Sequence, residues 1–134
     1  MFVDACAIVS LITDEPTAPA YDEALRNADH AATSILAVWE AVIVLSHPLK
    51  LDRPYRLVET IVLAWMEQRG IRLSETASPR EVLSHAIAVA EKYGTGKRRL
   101  SSFDCFHYAY AKALGAPLLT LDEKLRETDI PTLP

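Results

Sequence analysis

Apolar runs of three or four residues, each cut off by a polar residue and alternating with segments of helical period, restrict this chain to few architectures. Met1-Phe2-Val3 stops at Asp4, and Ala5–Leu11 continues with small and aliphatic residues, the pattern of a buried strand leading into a helix. After a break at Pro16 and Pro19, Ala20, Tyr21, Ala24 and Leu25 recur at helical spacing as far as Asn27. His30–Thr33 reads as a short strand or connector, and Ser34 caps a helix carrying Ile35, Val38, Trp39, Val42, Ile43 and Leu45 that Pro48 ends. Pro54 opens a helix with Leu57, Val58, Ile61, Val62, Trp65 and Met66 on one face, closed by Gly70. Ile71–Leu73 is a further strand, and Ser78-Pro79-Arg80-Glu81 has the form of a capping box before a helix that stops at Gly94. Ser101 or Ser102 caps a helix running to Leu114. Leu118–Leu121 is an apolar strand ending at Asp122, followed by a helical turn over Glu123–Glu127 and an extended piece near Ile130.

Strands alternating with helices predict a parallel sheet between helical layers, an α/β class. The 134 residues suffice for one domain with a real core, residues 1–134, and not for two. In such sheets ligands sit beyond the carboxyl ends of the strands, so chemistry is to be sought in the residues just after them.

Composition narrows the function. With 14 Lys and Arg against 18 Asp and Glu the formal charge is -4, which excludes nucleic-acid binding by bulk electrostatics; any such contact must be local. Cys6 and Cys105, in a chain without a secretory signal, read as reduced thiols and a cytoplasmic location. The apolar stretches around Ala5–Ile12 and Ile35–Ser46 fall short of the roughly 18 residues a membrane span needs.

Four acids stand where chemistry is expected. Asp4 and Asp122 follow apolar strands, Asp104 lies in the first turn of its helix, and Glu40 sits among Val38, Trp39, Ala41 and Val42, where a carboxylate is costly unless a cation or donor meets it. Each has a purely structural reading: a helix cap for Asp4, a cap or turn for Asp122, a favourable dipole contact for Asp104, a buried ion pair for Glu40. Meeting at one sheet edge without matching Arg or Lys, they describe a site for a hard divalent cation. Two carboxylates about 4 Å apart repel by roughly 4 kcal/mol at an effective dielectric near 20. Mg²⁺ or Mn²⁺ relieves that repulsion and leaves positions for phosphate oxygens, which is nuclease chemistry.

Phe2-Val3-Asp4, Val38-Trp39-Glu40, Ser102-Phe103-Asp104-Cys105-Phe106 and Pro117-Leu118-Leu119-Thr120-Leu121-Asp122 together resemble the PIN-domain ribonucleases, in particular the VapC-type toxins of bacterial toxin-antitoxin pairs. The resemblance covers essentially the whole chain. It implies a PIN-like three-layer sandwich whose central parallel sheet of about five strands is flanked by helices. It also implies an endoribonuclease toxin in which Asp4, Glu40, Asp104 and Asp122 bind Mg²⁺ or Mn²⁺ around an activated water, leaving 3'-hydroxyl and 5'-phosphate ends. The implied partners are an RNA substrate, a second copy in a homodimer, and a small antitoxin that inserts a peptide near the site. Thr120 matches the family's hydroxyl before the last acid. Two positions depart from the pattern. Cys6 replaces the usual Ser or Thr that helps order the site, a weaker donor. Leu125 replaces a Phe, and with Glu123 and Asp129 nearby the choice of Asp122 as fourth acid stays open.

Lys97, Arg98 and Arg99 form the one basic cluster and are read either as contacts to RNA phosphates or as a solvated loop. Gly94-Thr95-Gly96-Lys97 lacks the spacing and context of a phosphate loop. His107, near Asp104 and Cys105, has no second pair at zinc-site spacing and is assigned, with His30, His47 and His85, to structural or surface roles. Trp39, Trp65, Phe103, Phe106 and Tyr110 are read as core or dimer contacts. A phosphatase of the haloacid-dehalogenase type would need a second Asp where Cys6 stands. A PIN-like scaffold that binds RNA or protein without cutting is the remaining alternative.

Overall fold

Phe2 and Val3 have no solvent exposure and carry a strand partner on each side, so the whole sheet is laid out from them. The computed structural model describes residues 1–75, 77–97 and 99–134. In chain order they form β1 (Phe2–Val3), α1 (Ala5–Thr13), α2 (Ala18–Arg26), β2 (Ala31–Thr33), α3 (Ile35–Ser46), α4 (Tyr55–Gln68) and β3 (Ile71–Leu73). There follow α5 (Pro79–Tyr93), α6 (Ser102–Ala113), β4 (Leu118–Leu119), α7 (Glu123–Arg126) and β5 (Thr132–Leu133). The five strands are all parallel, in the order β3-β2-β1-β4-β5, with Phe2 opposite Ala32 on one side and Leu118 on the other. The architecture is the α/β sandwich expected, a five-stranded parallel sheet flanked by helices.

Burial explains why such short strands persist. Phe2, Val3, Leu118 and Leu119 are all fully buried, and each large apolar side chain so placed contributes about 1.5–3 kcal/mol. Parallel sheets covered on both faces read as continuous apolar runs, the pattern of β1 and β4. Beyond the ladder, Thr33 donates its hydroxyl to the Val3 carbonyl at 2.8 Å, tying β2 to the end of β1. Helices α1 to α4 pack on one another, α5 lies along α6, and α3 reaches α6.

Local departures from the sequence expectation each have a physical reason. Strand β4 ends at Leu119 rather than Leu121 because the Leu121 N–H donates to the Tyr21 hydroxyl at 2.9 Å instead of to a neighbouring strand. Helix α2 begins at Ala18 with Pro19 inside its first turn, where proline's missing N–H costs nothing. Ser78 precedes α5 without a side-chain cap bond, whereas Ser101 forms a full capping box with Asp104. The final extended piece is β5, two residues beyond Ile130.

Asp129 fastens the C-terminal half. It accepts hydrogen bonds from the Tyr108 hydroxyl at 2.8 Å and from Lys112 at 3.4 Å, with Lys92 at 3.8 Å, so α5 and α6 are both held to the approach of β5. The Tyr108 bond, reinforced by Lys112, lowers its carboxyl to about 2. An acid lowered in this way stabilises the fold above its ordinary value of 3.8 and loses that contribution as pH falls through about 2. The urea-denaturation gap between wild type and Asp129→Asn is therefore expected to be full at neutral pH and to narrow steadily below 3.8. A gap independent of pH would assign Asp129 no such role.

Candidate functional site

Each of the four acids is set by the start of a helix or by a helix face. Asp4 ends β1 and caps α1: its backbone is extended, and its Oδ1 accepts from the Ala5 N–H. Glu40 rides on α3, which Ser34 starts by accepting from the Ala37 N–H at 3.1 Å. Asp104 is the third residue of α6; its Oδ2 accepts from the Ser101 N–H at 2.6 Å while its own N–H donates to the Ser101 hydroxyl. Asp122 caps α7, its Oδ1 accepting from the N–H groups of Lys124 and Leu125.

Two of these acids meet at one imidazole. His107 Nε2 lies 2.6 Å from Glu40 Oε2 and 3.4 Å from Asp4 Oδ1, and the ring also feels the charge of Asp104. His107 is 1 % exposed and Asp4 3 %. Asp122 joins from the side: its N–H donates to Thr120 Oγ1, which donates in turn to Asp4 Oδ2 at 2.7 Å. Cys6 completes the frame, its Sγ donating to Asp4 Oδ2 at 3.0 Å and standing 3.3 Å from both the Tyr21 and Thr120 hydroxyls. Burial, then the Asp4 charge, push the Cys6 thiol up to about 12, so it stays protonated and donates as the expected hydroxyl would. A cavity of about 260 Å³ opens over Cys6 and Glu40, with the Glu15–Lys50 ion pair at its rim.

This arrangement matches a known family. A model described as "PIN domain" matches residues 1–131. The chain belongs to the PIN-domain family. Among its relatives are a ribonuclease VapC of Mycolicibacterium smegmatis, 30% identical over 132 residues with 97% of each chain covered, and ribonuclease VapC30 of Mycobacterium tuberculosis, 30% identical over 136 residues with 99% of this chain and 98% of the relative covered. These relatives make it a VapC-type member. Its fold is shared with the crystal structure of VapC20 from Mycobacterium tuberculosis, titled a Sarcin-Ricin loop cleaving toxin, at a TM-score of 0.71 and 14% identity over 96% of this chain and 95% of that one. A second structure, from Pyrobaculum aerophilum, gives a TM-score of 0.62 at 23% identity, covering 97% of this chain and 85% of that one.

The donor chemistry of this PIN domain suits a hard dication, because carboxylate oxygens dominate it and none of the four acids has a Lys or Arg partner among the described residues. As the side chains stand, no three His, Cys, Asp or Glu among the described residues are grouped closely enough to share one ion. Asp4, Asp104 and Asp122 instead accept from N–H groups, and Glu40 meets His107.

Of the other residues singled out, Lys97 and Arg99 line a separate cavity considered below, and Arg98 lies outside the described residues. Asp129 is committed to Tyr108 and Lys112, and Glu123 is exposed in the first turn of α7. Two residues of the site were missed by sequence reasoning. His107 is the partner that Glu40 demanded; the available signal was its position three residues after Asp104, which puts both on one helix face. Tyr21 carried no signal beyond helical spacing.

Burial alone would lower His107, but the Glu40 bond and the charges of Asp4, Glu40 and Asp104 outweigh it and raise the ring above 6.5. Its stabilisation is therefore complete below 6.5 and is lost as pH rises through the raised folded-state value. In EDTA, His107→Ala is expected to lower unfolding free energy by about 2–4 kcal/mol at mildly acidic pH, through the lost charged hydrogen bond and the cavity left behind. Calorimetry across pH should show the wild type losing part of this advantage on the alkaline side, and a parallel pH profile for both proteins would refute the pairing.

Proposed function

We propose that this protein is a metal-dependent endoribonuclease toxin, one PIN domain over residues 1–134, that cleaves RNA phosphodiesters and is silenced by a cognate antitoxin. The observation that carries the reading is that Asp4 and Glu40, remote in sequence, meet at the buried His107 without Lys or Arg partners among the described residues, with Asp104 one turn before His107 on the same helix. Names of relatives 30% identical over nearly the full length, ribonucleases VapC, support the same reading.

In this proposal Asp4, Glu40, Asp104 and Asp122 hold Mg²⁺ or Mn²⁺. Bound there, such an ion lowers the pKa of water and polarises the scissile phosphate. The chain's own residues do the positioning. Thr120 and Cys6 fix Asp4 Oδ2 by hydrogen bonds, which aims that carboxylate. The capping box with Ser101 does the same for Asp104, and the cap of α7 for Asp122. Asp104 can leave Ser101 at the cost of about one capping interaction, ~1 kcal/mol, a small sum beside the gain from coordinating a dication.

An apolar groove of about 470 Å³ lined by Ile35, Trp39, Tyr55 and Leu63 supports the protein partners in the proposal, a second copy and an antitoxin. Ile35 is 67 % and Trp39 48 % exposed, and Trp39 precedes Glu40 on the same helix, so a partner seated there would adjoin the acids. No helix among the described residues is long and apolar enough to cross a membrane. The two cysteines are not disulfide-bonded, in keeping with the proposed cytoplasmic location. The scaffold reading draws on one observation, His107 bonded to Glu40 where a dication would have to compete.

Cleavage assays separate the two. RNA should be cut in Mg²⁺ or Mn²⁺ and spared in EDTA, and Asp104→Asn should abolish cutting while leaving metal-free unfolding within about 0.5 kcal/mol of wild type, because the amide oxygen still caps Ser101. Asp104→Ala should instead lose about 1 kcal/mol of stability as well. Cleavage that survives EDTA, or that persists in Asp104→Asn, would sink the assignment.

A further inference from the structure

We propose that the cavity lined by Lys97, Arg99 and Lys124 is a seat for a backbone phosphate of the RNA strand, beside the acids rather than at them; this rests on the ribonuclease reading above. The cavity holds about 410 Å³ and is completed by Tyr93, Leu100 and Glu127. Its position follows from the chain. Leu100 immediately precedes Ser101, the cap that grips Asp104, and the Lys124 N–H donates to Asp122 Oδ1 at 2.9 Å. One wall is thus joined along the chain to the Asp104 turn and the other to the Asp122 turn, and the proposed strand path leads from those turns into this cavity.

The charge distribution singles the place out. Arg26, Lys50, Arg56, Arg69, Lys92 and Lys112 each stand in an ion pair with an acid. Lys97, Arg99 and Lys124 have no such pair among the described residues, although Glu127 shares their cavity. Arg53, Arg72, Arg80 and Arg126 are likewise unpaired among the described residues, but none of them lines this cavity. A chain of net charge -4 repels a polyanion on average, so a productive encounter needs local positive potential of this kind.

The cavity is also built rather than incidental. Arg99 lies across Gly94, where a Cβ would come within 2.7 Å of its Cδ, and its Nη1 donates to the Tyr93 carbonyl at 3.0 Å. Gly94 takes φ +79 and Gly96 φ +109, conformations that side chains resist, and the Gly96 N–H bonds the Leu100 carbonyl. The loop thus holds one guanidinium in place before any ligand arrives, which reduces the ordering cost of binding. Planar guanidinium and two ammonium groups are the donors that phosphate recognition uses.

Binding of a fluorescein-labelled single-stranded RNA of mixed sequence, measured by anisotropy in EDTA so that nothing is cut, tests this. Lys97→Gln and Lys124→Gln should each weaken binding roughly fivefold, and the double variant should lower the salt dependence of log Kd by about one phosphate's worth, ~0.7. Lys97→Arg and Lys124→Arg should restore wild-type affinity, while Arg80→Gln, a cation at the start of α5, should bind as wild type. Unchanged affinity in the double variant, or no measurable binding by wild type, overturns the proposal. So does an inorganic phosphate arm, at matched ionic strength, in which free phosphate binds wild type and not the double variant while RNA affinity is equal. Cleavage with intact RNA affinity in both lysine variants would remove the cavity and keep the nuclease; lysine-dependent RNA binding without cleavage would remove the nuclease and keep the cavity.

Discussion

The carboxyl edge of the sheet is organised around carboxylates, Asp4 buried and Glu40, Asp104 and Asp122 half-buried, that meet no Lys or Arg among the described residues. Two of them about 4 Å apart cost roughly 4 kcal/mol at an effective dielectric near 20, so the compensation has to come from elsewhere. It comes mostly from donors of small or partial charge. Asp4 receives Ala5 N–H, the Cys6 thiol and the Thr120 hydroxyl. Hydrogen bonds to a charged group contribute about 1.5–3 kcal/mol each, and a helix N-terminus adds about 0.3–1. Together these donors offset that repulsion. They also leave the negative potential in place, which a bidentate guanidinium would have cancelled. His107 is the one basic side chain within 4 Å of these acids among the described residues, and its Nε2 lies between Glu40 and Asp4.

The parallel topology is what makes this possible. Because β1 and β4 are neighbours running the same way, Asp4 and the Thr120–Asp122 turn emerge at the same edge, and one hydroxyl can serve both. Because β2 lies on the other side of β1, α3 starts from that edge as well and carries Glu40 inward. The structural and functional readings of the acids are then not alternatives. Asp4 and Asp122 cap helices that follow strands at the carboxyl end of the sheet, and Asp104 closes the capping box of α6 with Ser101.

Much of this was legible in the sequence because it is local. Apolar runs ending at acids gave away β1 and β4, and Ser34, Pro54 and Ser101 mark the starts of α3, α4 and α6. What escaped depends on distant partners. Ser78 and Ser101 offer similar capping patterns to the eye, yet only Ser101 closes its box, since a cap bond depends on backbone angles that neighbouring elements impose. Glu40 announced that it needed a partner, but its partner lies 67 residues away on α6. Tyr21 was visible only as one more residue on a helix face, although its hydroxyl ends β4 by capturing the Leu121 N–H and touches Cys6. Residue identity names the donors available; only the packing decides which acceptor each one meets.

An acidic protein with acids at its centre has to solve a further problem if its substrate is a polyanion, and the distribution of its cations bears on that. On α2, α4, α5 and α6, and on the loop that carries Lys50, basic side chains are spent on neighbouring carboxylates: Arg26 and Arg69 on Asp22, Arg56 on Glu59, Lys50 on Glu15, Lys92 and Lys112 on Asp129. Exposed pairs of this kind contribute little stability, about 0–1 kcal/mol each. Their larger effect is to reduce the positive potential around those six cations. Where the loop after α5 meets α7, no such pairing flattens it, and Lys97, Arg99 and Lys124 keep their field beside the Asp104 and Asp122 turns. Screening confines each field to about 8 Å at physiological salt, so only cations adjoining the acids can offset their repulsion for an approaching strand. Under the proposed function, affinity and chemistry would share one edge of the molecule, the carboxylates there to gather a dication and these cations to hold the strand it acts on.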